Sequence, residues 1–334
     1  MEDFPVVPFS VVLHAITLAS FTIALCPSVL GAGEDENTIS LNPRDGKIQV
    51  MIDGNMFTEY DYQSYKKPIL YPVLGPGGVP MTRSWPIADG VPGEAKDHPH
   101  HKSIWFAHDD VNGRHFWHET GNIKNQRVRL AKGKDGRPMI VSDNLWIGGD
   151  GEPVCSDTTV LSFPDVPNAR AIDIATTLRA THGAVKLGDT KEGLMAIRTH
   201  PDLRLEKHPS MGNLDRLGKA TNSDGITGKE IWGKPARWVD YSGTIEGEKV
   251  GIAIFDSPRN LRHPTTWHAR AYGLITANPF GAHDFLGAEK GTGEYVIPDG
   301  GELTLRYRFV FHRGDVDDAD VAGLFKEYAD EQKK

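Results

Sequence analysis

Asp97-His98-Pro99-His100-His101, followed by His108, His115 and His118, is the densest run of proton-exchanging side chains in the sequence. Six of the fourteen histidines fall between residues 97 and 119, together with Asp97, Asp109, Asp110 and Glu119 and with Trp105 and Trp117. Imidazole titrates near neutral pH and is the commonest metal ligand, and core packing alone has little use for so many. Two chemistries use such a set. One is general acid–base catalysis, in which an imidazole facing a carboxylate moves a proton at an anomeric or carbonyl-adjacent carbon of a polyhydroxylated substrate. Its candidates are His100, His101 and His268, with Glu119, Asp256 or Glu230 opposite. The other is metal ligation, with His98 and His100 as candidate ligands. Strand alternation weakens the second, because it sets His98 and His100 on one side and His101 on the other, and Pro99 breaks regular pairing. No His-Glu-x-x-His run and no cysteine pair defines a site, so the cofactor stays open, a metal included.

A second cluster repeats the ingredients. Asp256, Arg262, His263, Trp267, His268 and Arg270 precede one predicted strand, and Asn278 follows it. The two clusters are expected to meet at one rim of the fold, Asp97–His101 forming one lip of a cleft and Arg262–Arg270 the other. The candidate substrate contacts are Arg83, Trp105, Asn112, Arg262, Trp267, Arg270 and Asn278. Aromatic rings suit the apolar faces of sugars. Each tryptophan taken singly is equally a core residue. There is no Gly-x-Gly-x-x-Gly, no P-loop and no Gly-x-Ser-x-Gly elbow, which removes most of the weight from nucleotide-dependent and serine-hydrolase chemistry.

The elements that must position these residues read as strands. Lys47–Gly54 alternates and stops at Asp-Gly, and Phe57–Tyr62 continues the pattern as its partner. Further strands are expected at 68–74, 104–108, 127–131, 139–145, 158–163, 171–178, 194–198, 203–206, 236–241, 250–255, 271–277 and 303–311. Residues 207–230 are polar, Gly-rich and aperiodic, the longest expected loop. Val321, Leu324, Phe325 and Tyr328 fall at i, i+3, i+4 and i+7, which predicts one amphipathic helix, capped from the Asp315/Asp317 region and packed on a sheet edge. Many short strands and almost no helix predict an all-β fold, a large antiparallel β-sandwich with a C-terminal amphipathic helix. No internal repeat or linker divides residues 47–334, which are taken as a single domain behind a flexible lead-in over 32–46.

Composition agrees. Thirty-six glycines and 22 prolines with 39% hydrophobic residues fit a turn-rich β protein. A net charge of −8 without a long basic run argues against nucleic acid and anionic membranes as partners. Val11–Cys26 is apolar, small residues follow at 29–33 and acidic ones at 34–36. This is the order of a signal peptide over residues 1–31, although its first residues carry Glu2 and Asp3 and no Lys or Arg. A periplasmic or extracellular protein, with no stable membrane insertion after cleavage, is the expectation. Cys155 then remains alone, a structural thiol without a disulfide partner.

Tyr71-Pro72-Val73 with Gly75-Pro76, Asp97–His101 with Trp105–His108, Val111-Asn112-Gly113 with Phe116-Trp117, Arg237–Gly243, Arg262–His268 and Asn278–Gly281 together resemble a bacterial family labelled "methane oxygenase PmoA". The resemblance runs from about Lys47 to Arg313. The occurrence of its members near sugar oxidoreductases implies a part in carbohydrate catabolism, with a small-molecule carbohydrate as the partner. The label itself implies a metal-dependent oxygenase, yet a membrane methane oxygenase needs several spanning helices and this chain has one apolar segment. The strand pattern also resembles galactose-mutarotase-like supersandwich proteins, a likeness of fold that transfers no catalytic residue. Three functions follow as alternatives: proton transfer on a sugar, sugar binding without turnover, and metal-dependent oxygenation.

Overall fold

Two antiparallel sheets face each other across one core in the computed structural model, which describes residues 38–89, 91–212 and 217–333. The first sheet has seven strands in the order β1 (Ile39–Arg44), β2 (Lys47–Ile52), β3 (Asn55–Asp61), β4 (Ile69–Val73), β5 (Ile104–His108), β12 (Gly193–Arg198) and β16 (Leu274–Ala277). The second runs β13 (Lys219–Asn222), β14 (Trp238–Ile245), β15 (Glu248–Asp256), β18 (Glu302–Arg313), β10 (Ala169–Arg179), β8 (Pro153–Ser162), β7 (Pro138–Ile147) and β6 (Asn122–Lys132), with the short β9 (Asp165–Val166) pairing β10. A separate ribbon joins β11 (Val185–Leu187) to β17 (Tyr295–Ile297). This is the expected β-sandwich, and Asn37–Lys334 form one compact unit.

Alternating apolar residues build the core, as the period-two pattern requires. Val50 of β2 and Phe57 of β3 meet Ile172 of β10 and Phe311 of β18 in one buried cluster, and the Phe57 and Phe311 ring centroids lie 5.9 Å apart. β15 is different, because Val250–Asp256 are buried on both faces. Ile252 and Ile254 point into the sandwich, while Ala253 and Phe255 lie under helix α2 (Val321–Glu331). The strand is therefore a continuous apolar run at that point, covered on both sides.

Four expectations need correction. The described part of the lead-in is β1, a strand fully registered with β2, because Ile39 and Leu41 continue the alternation. Residues 203–206 are not a strand: Pro201–Leu203 form a 3-10 turn. The aperiodic stretch 207–230 contains the edge strand β13 and two further 3-10 turns, Pro209–Met211 and Gly228–Ile231. The helix is capped by Asp320, whose carboxylate accepts from the Gly323 amide at 3.1 Å, and it lies on the sheet face rather than its edge. The expected signal peptide lies outside the described residues. Among those that are described, no helix is long and apolar enough to cross a membrane.

A second, smaller α-helix, α1 (Ala282–Leu286), follows β16. The C-terminal helix carries the larger share of packing: Phe255 meets Phe325 edge-on at 5.5 Å and Tyr328 at 5.9 Å. Truncating Phe255 to Ala should therefore lower the unfolding free energy by about 3–5 kcal/mol, read as a lower denaturant midpoint at unchanged slope.

Candidate functional site

Strand register assembles the site. Ile197 at the end of β12 faces Ile104 at the start of β5 and Ile275 near the start of β16. The segments just beyond these points, residues 97–103, Arg198 and 270–273, are thereby brought to one rim, and the Arg198 amide donates to the Ser103 carbonyl at 2.8 Å. Gly273, at φ +88°, makes the turn that returns Tyr272 to this rim, and a Cβ there would lie 2.5 Å from the Thr199 hydroxyl.

The histidine run is a tight turn, not a strand. The His101 amide donates to the His98 carbonyl at 2.9 Å, with Pro99 at the second position, where its fixed φ suits such a turn. His98, His100 and His101 therefore converge instead of alternating. His98 stacks on His101 with centroids 4.7 Å apart and planes 8° from parallel, and His100 stands edge-on to His101 at 4.5 Å. The other face of the row continues as His98 stacked on Tyr272 at 5.4 Å.

Asp97 ties the turn to the sheet. One carboxylate oxygen accepts from Arg83 at 2.6 Å and from Arg198 at 2.9 Å, and the other lies 3.1 Å from His98 Nδ1. Burial alone would raise this carboxyl, but the His98 bond and the two guanidinium charges outweigh it and hold it well below the usual range. Arg83 also donates to the carbonyls of Ala95, Asp97, His98 and His101. Its proposed part as a substrate contact gives way to that of a loop organiser. Arg198 donates to His101 Nδ1 at 3.3 Å, so a neutral His101 carries its proton on Nε2, which has no partner among the described residues. Burial, then the neighbouring His100 and Arg198, holds His101 well below its ordinary pKa.

The segment after β5 folds back and delivers His118 to His100, ring centroids 4.7 Å apart. His118 Nδ1 donates to Asp109 at 2.7 Å, and that bond raises its pKa above the ordinary 6.5. His115 shares the same carboxylate at 3.1 Å. His100 is driven the other way, to about 3, by burial and by the positive fields of His118 and Lys67. Beneath them Lys67 contacts Glu119 at 2.5 Å and donates to the His100 carbonyl at 2.9 Å, while Lys102 reaches both Glu119 oxygens at 2.7 and 2.6 Å. Two cations occupy both oxygens of Glu119, so it is a structural counter-ion here and not a free base. Trp105 underlies the cluster, stacked on His101 at 5.2 Å and buried.

The second lip is met only at its end. Tyr272 touches the first lip, and the Arg270 guanidinium lies 5.7 Å from the Tyr272 ring and 6.0 Å from Trp232. His268 is buried beside Phe285, its Nδ1 donating to the Lys191 carbonyl, and burial lowers its pKa to about 4. Asp256 lies on the nine-stranded sheet, bonded to His263 at 2.7 Å, to Asn260 at 2.8 Å and to the Thr265 amide. It faces none of the three candidate histidines. Arg262 staples the carbonyls of Pro279, Gly293 and Glu294. Asn112 clasps Ala184 and Lys186, Asn278 clasps Thr190 and Phe280, and Trp267 is core, its indole donating to the Ala236 carbonyl. These four positions hold backbone. Glu230 sits in the 3-10 turn Gly228–Ile231.

For a metal, the described residues bring no three His, Cys, Asp or Glu side chains into a ligand set. His98 Nδ1 is engaged by Asp97, and the rings of His98 and His101 stack by their faces. Sequence reasoning missed Asp109, His118, Lys67, Arg198 and Tyr272. His118 lay inside the histidine run, but nothing local pairs it with Asp109, nine residues earlier.

Lys67 is 1% exposed, and burial, only partly offset by Glu119, pushes its pKa from 10.5 down to about 8. Between those values the unfolded chain keeps a proton that the folded chain releases, so stability should rise with pH across that window. Denaturant titrations from pH 7.5 to 10.5 should show this rise, and Lys67→Met should abolish it.

The chain belongs to a family of unknown function, DUF6807, whose profile matches residues 47–326. No curated protein matches it. Among solved structures it is similar to the Slr1438 protein of Synechocystis sp. PCC 6803, at 11% identity over 82% of this chain and 91% of that one. The TM-score of 0.34 is too low for that likeness to carry any argument.

Proposed function

We propose that this protein acts on a carbohydrate by proton transfer, His100 taking a proton and His118 giving one. The observation that carries the proposal is a pair of imidazoles 4.7 Å apart in opposed environments. One is held by a carboxylate and kept protonated, the other is kept neutral by burial and neighbouring cations. Environments that push two adjacent groups apart in this way assign the acid and the base. A neutral His100 accepts the proton of a substrate O–H or C–H bond, and the His118 imidazolium supplies one to the oxygen that gains charge, so protons balance over the step. Asp109 orients His118 and stabilises its charged form. Tyr272 and Trp232 border the neighbouring pocket and supply aromatic surface beside the histidine row. Export from the cytoplasm belongs to the same proposal and rests on the apolar segment Val11–Cys26 alone.

Turnover should be followed over a panel of free sugars and glycosides. The profile of kcat/KM should hold down to about pH 4, because His100 stays neutral there, and fall on the alkaline side above 6.5 as His118 loses its proton. Asp109→Asn should move the alkaline limb to lower pH, and His100→Gln or His118→Gln should each cost about 100-fold or more in kcat with the fold intact. Saturable binding without turnover would leave a sugar-binding module. Activity that tracks added iron or copper, and survives both substitutions, would favour the oxygenase alternative.

A further inference from the structure

Arg270 borders a pocket of about 320 Å³, lined also by Glu206, Lys229, Trp232, Ala269, Ala271 and Tyr272. Its guanidinium is set between the Trp232 and Tyr272 rings, and no acceptor among the described residues takes its N–H groups. The one carboxylate lining this pocket, Glu206, is engaged by Lys229 at 2.8 Å. Next to the pocket, Leu205 donates its amide to the Ala271 carbonyl, which carries Arg204 against Gly273 beside Tyr272. Arg204 is 3% exposed, and its Nε is buried without an acceptor. The acids whose charge acts on Arg204 are Asp97, already shared by Arg83, Arg198 and His98, and then Glu206, engaged by Lys229.

Two guanidinium groups thus stand at one end of the rim without an anion of their own, and one of them opens onto a cavity. A buried cation is costly unless something of opposite charge pairs with it. A planar guanidinium pre-ordered on aromatic faces presents a rigid donor fork that matches a carboxylate. The row Arg270, Tyr272, His98, His100 leads from this fork to the histidine pair in ring-to-ring steps of 5.7, 5.4 and 5.8 Å.

Resting on the carbohydrate proposal above, we propose that the sugar taken by this site is an acidic one, a uronate whose carboxylate is held by Arg270 with the charge of Arg204 behind it. The anion anchors one unit of the substrate beside Tyr272, and the further units of a uronate-containing chain extend toward His100 and His118. Lys229 and Glu206 border the same pocket as an ion pair, so Arg270 supplies the uncompensated charge there.

Calorimetry on the full chain tests this with glucuronate, galacturonate and mannuronate, each beside its neutral hexose. At least one acid should bind about 10-fold or more tightly than its neutral counterpart, the difference a charge-assisted contact makes. Arg270→Gln should erase that preference, Arg270→Lys should keep part of it, and Arg204→Gln should reduce it. Neutral hexoses binding as tightly as the acids, or a preference that survives Arg270→Gln, would overturn the acidic-sugar inference and leave the carbohydrate proposal standing. Binding of neither class to the folded protein would overturn both.

Discussion

The carboxylate of Asp97, shared between the guanidinium groups of Arg83 and Arg198, is the interaction on which the rest of the rim depends. Arg198 belongs to β12 and Arg83 to the stretch before the histidine turn, so one anion fastens the turn to the sheet beneath it. Charge-assisted bonds of this kind are worth more than neutral ones, and leaving either arginine unpaired in its buried position would cost several kcal/mol. The consequence reaches the chemistry. With Asp97 in place, Arg198 fixes the proton position of His101, His98 stacks between His101 and Tyr272, and His100 is turned outward to meet His118.

A second device works in the same way on the other side of the histidines. Glu119 balances Lys67 and Lys102, and the surplus positive charge acts on His100, which stays neutral far below the usual imidazole range. His118 sits beside the same cations, yet its bond to Asp109 prevails and keeps it charged. The two rings differ because one has a carboxylate, while the other is buried and faces the charges of His118 and Lys67.

Much of the fold was legible in the sequence because period-two alternation reports burial on one face. Lys47–Ile52 and Ala171–Leu178 read as strands for that reason, Val250–Phe255 as a short apolar run, and Val321–Tyr328 as a helix from its 3.6 period. The site was legible only in part. Composition located the histidine run and Arg270, but a period-two reading of His98–His101 sent the rings apart where a proline turn brings them together. Partners such as Lys67, Arg198 and Tyr272 come from three other segments, and only strand register brings them in, which no local pattern encodes. Asp256, Arg262, Asn112 and Asn278 carry polar groups that look chemical in sequence. In the structure each satisfies loop backbone or a neighbouring side chain.

The claim at the centre of this account is that two touching imidazoles hold opposite charge states near neutral pH. A nuclear magnetic resonance titration of the histidine side chains, with His100→Gln and His118→Gln used to assign the signals, reads this directly. His100 should remain neutral down to about pH 4, with its midpoint near 3, while the His118 midpoint lies above the ordinary 6.5. Midpoints for both rings at the ordinary value near 6.5 would contradict it.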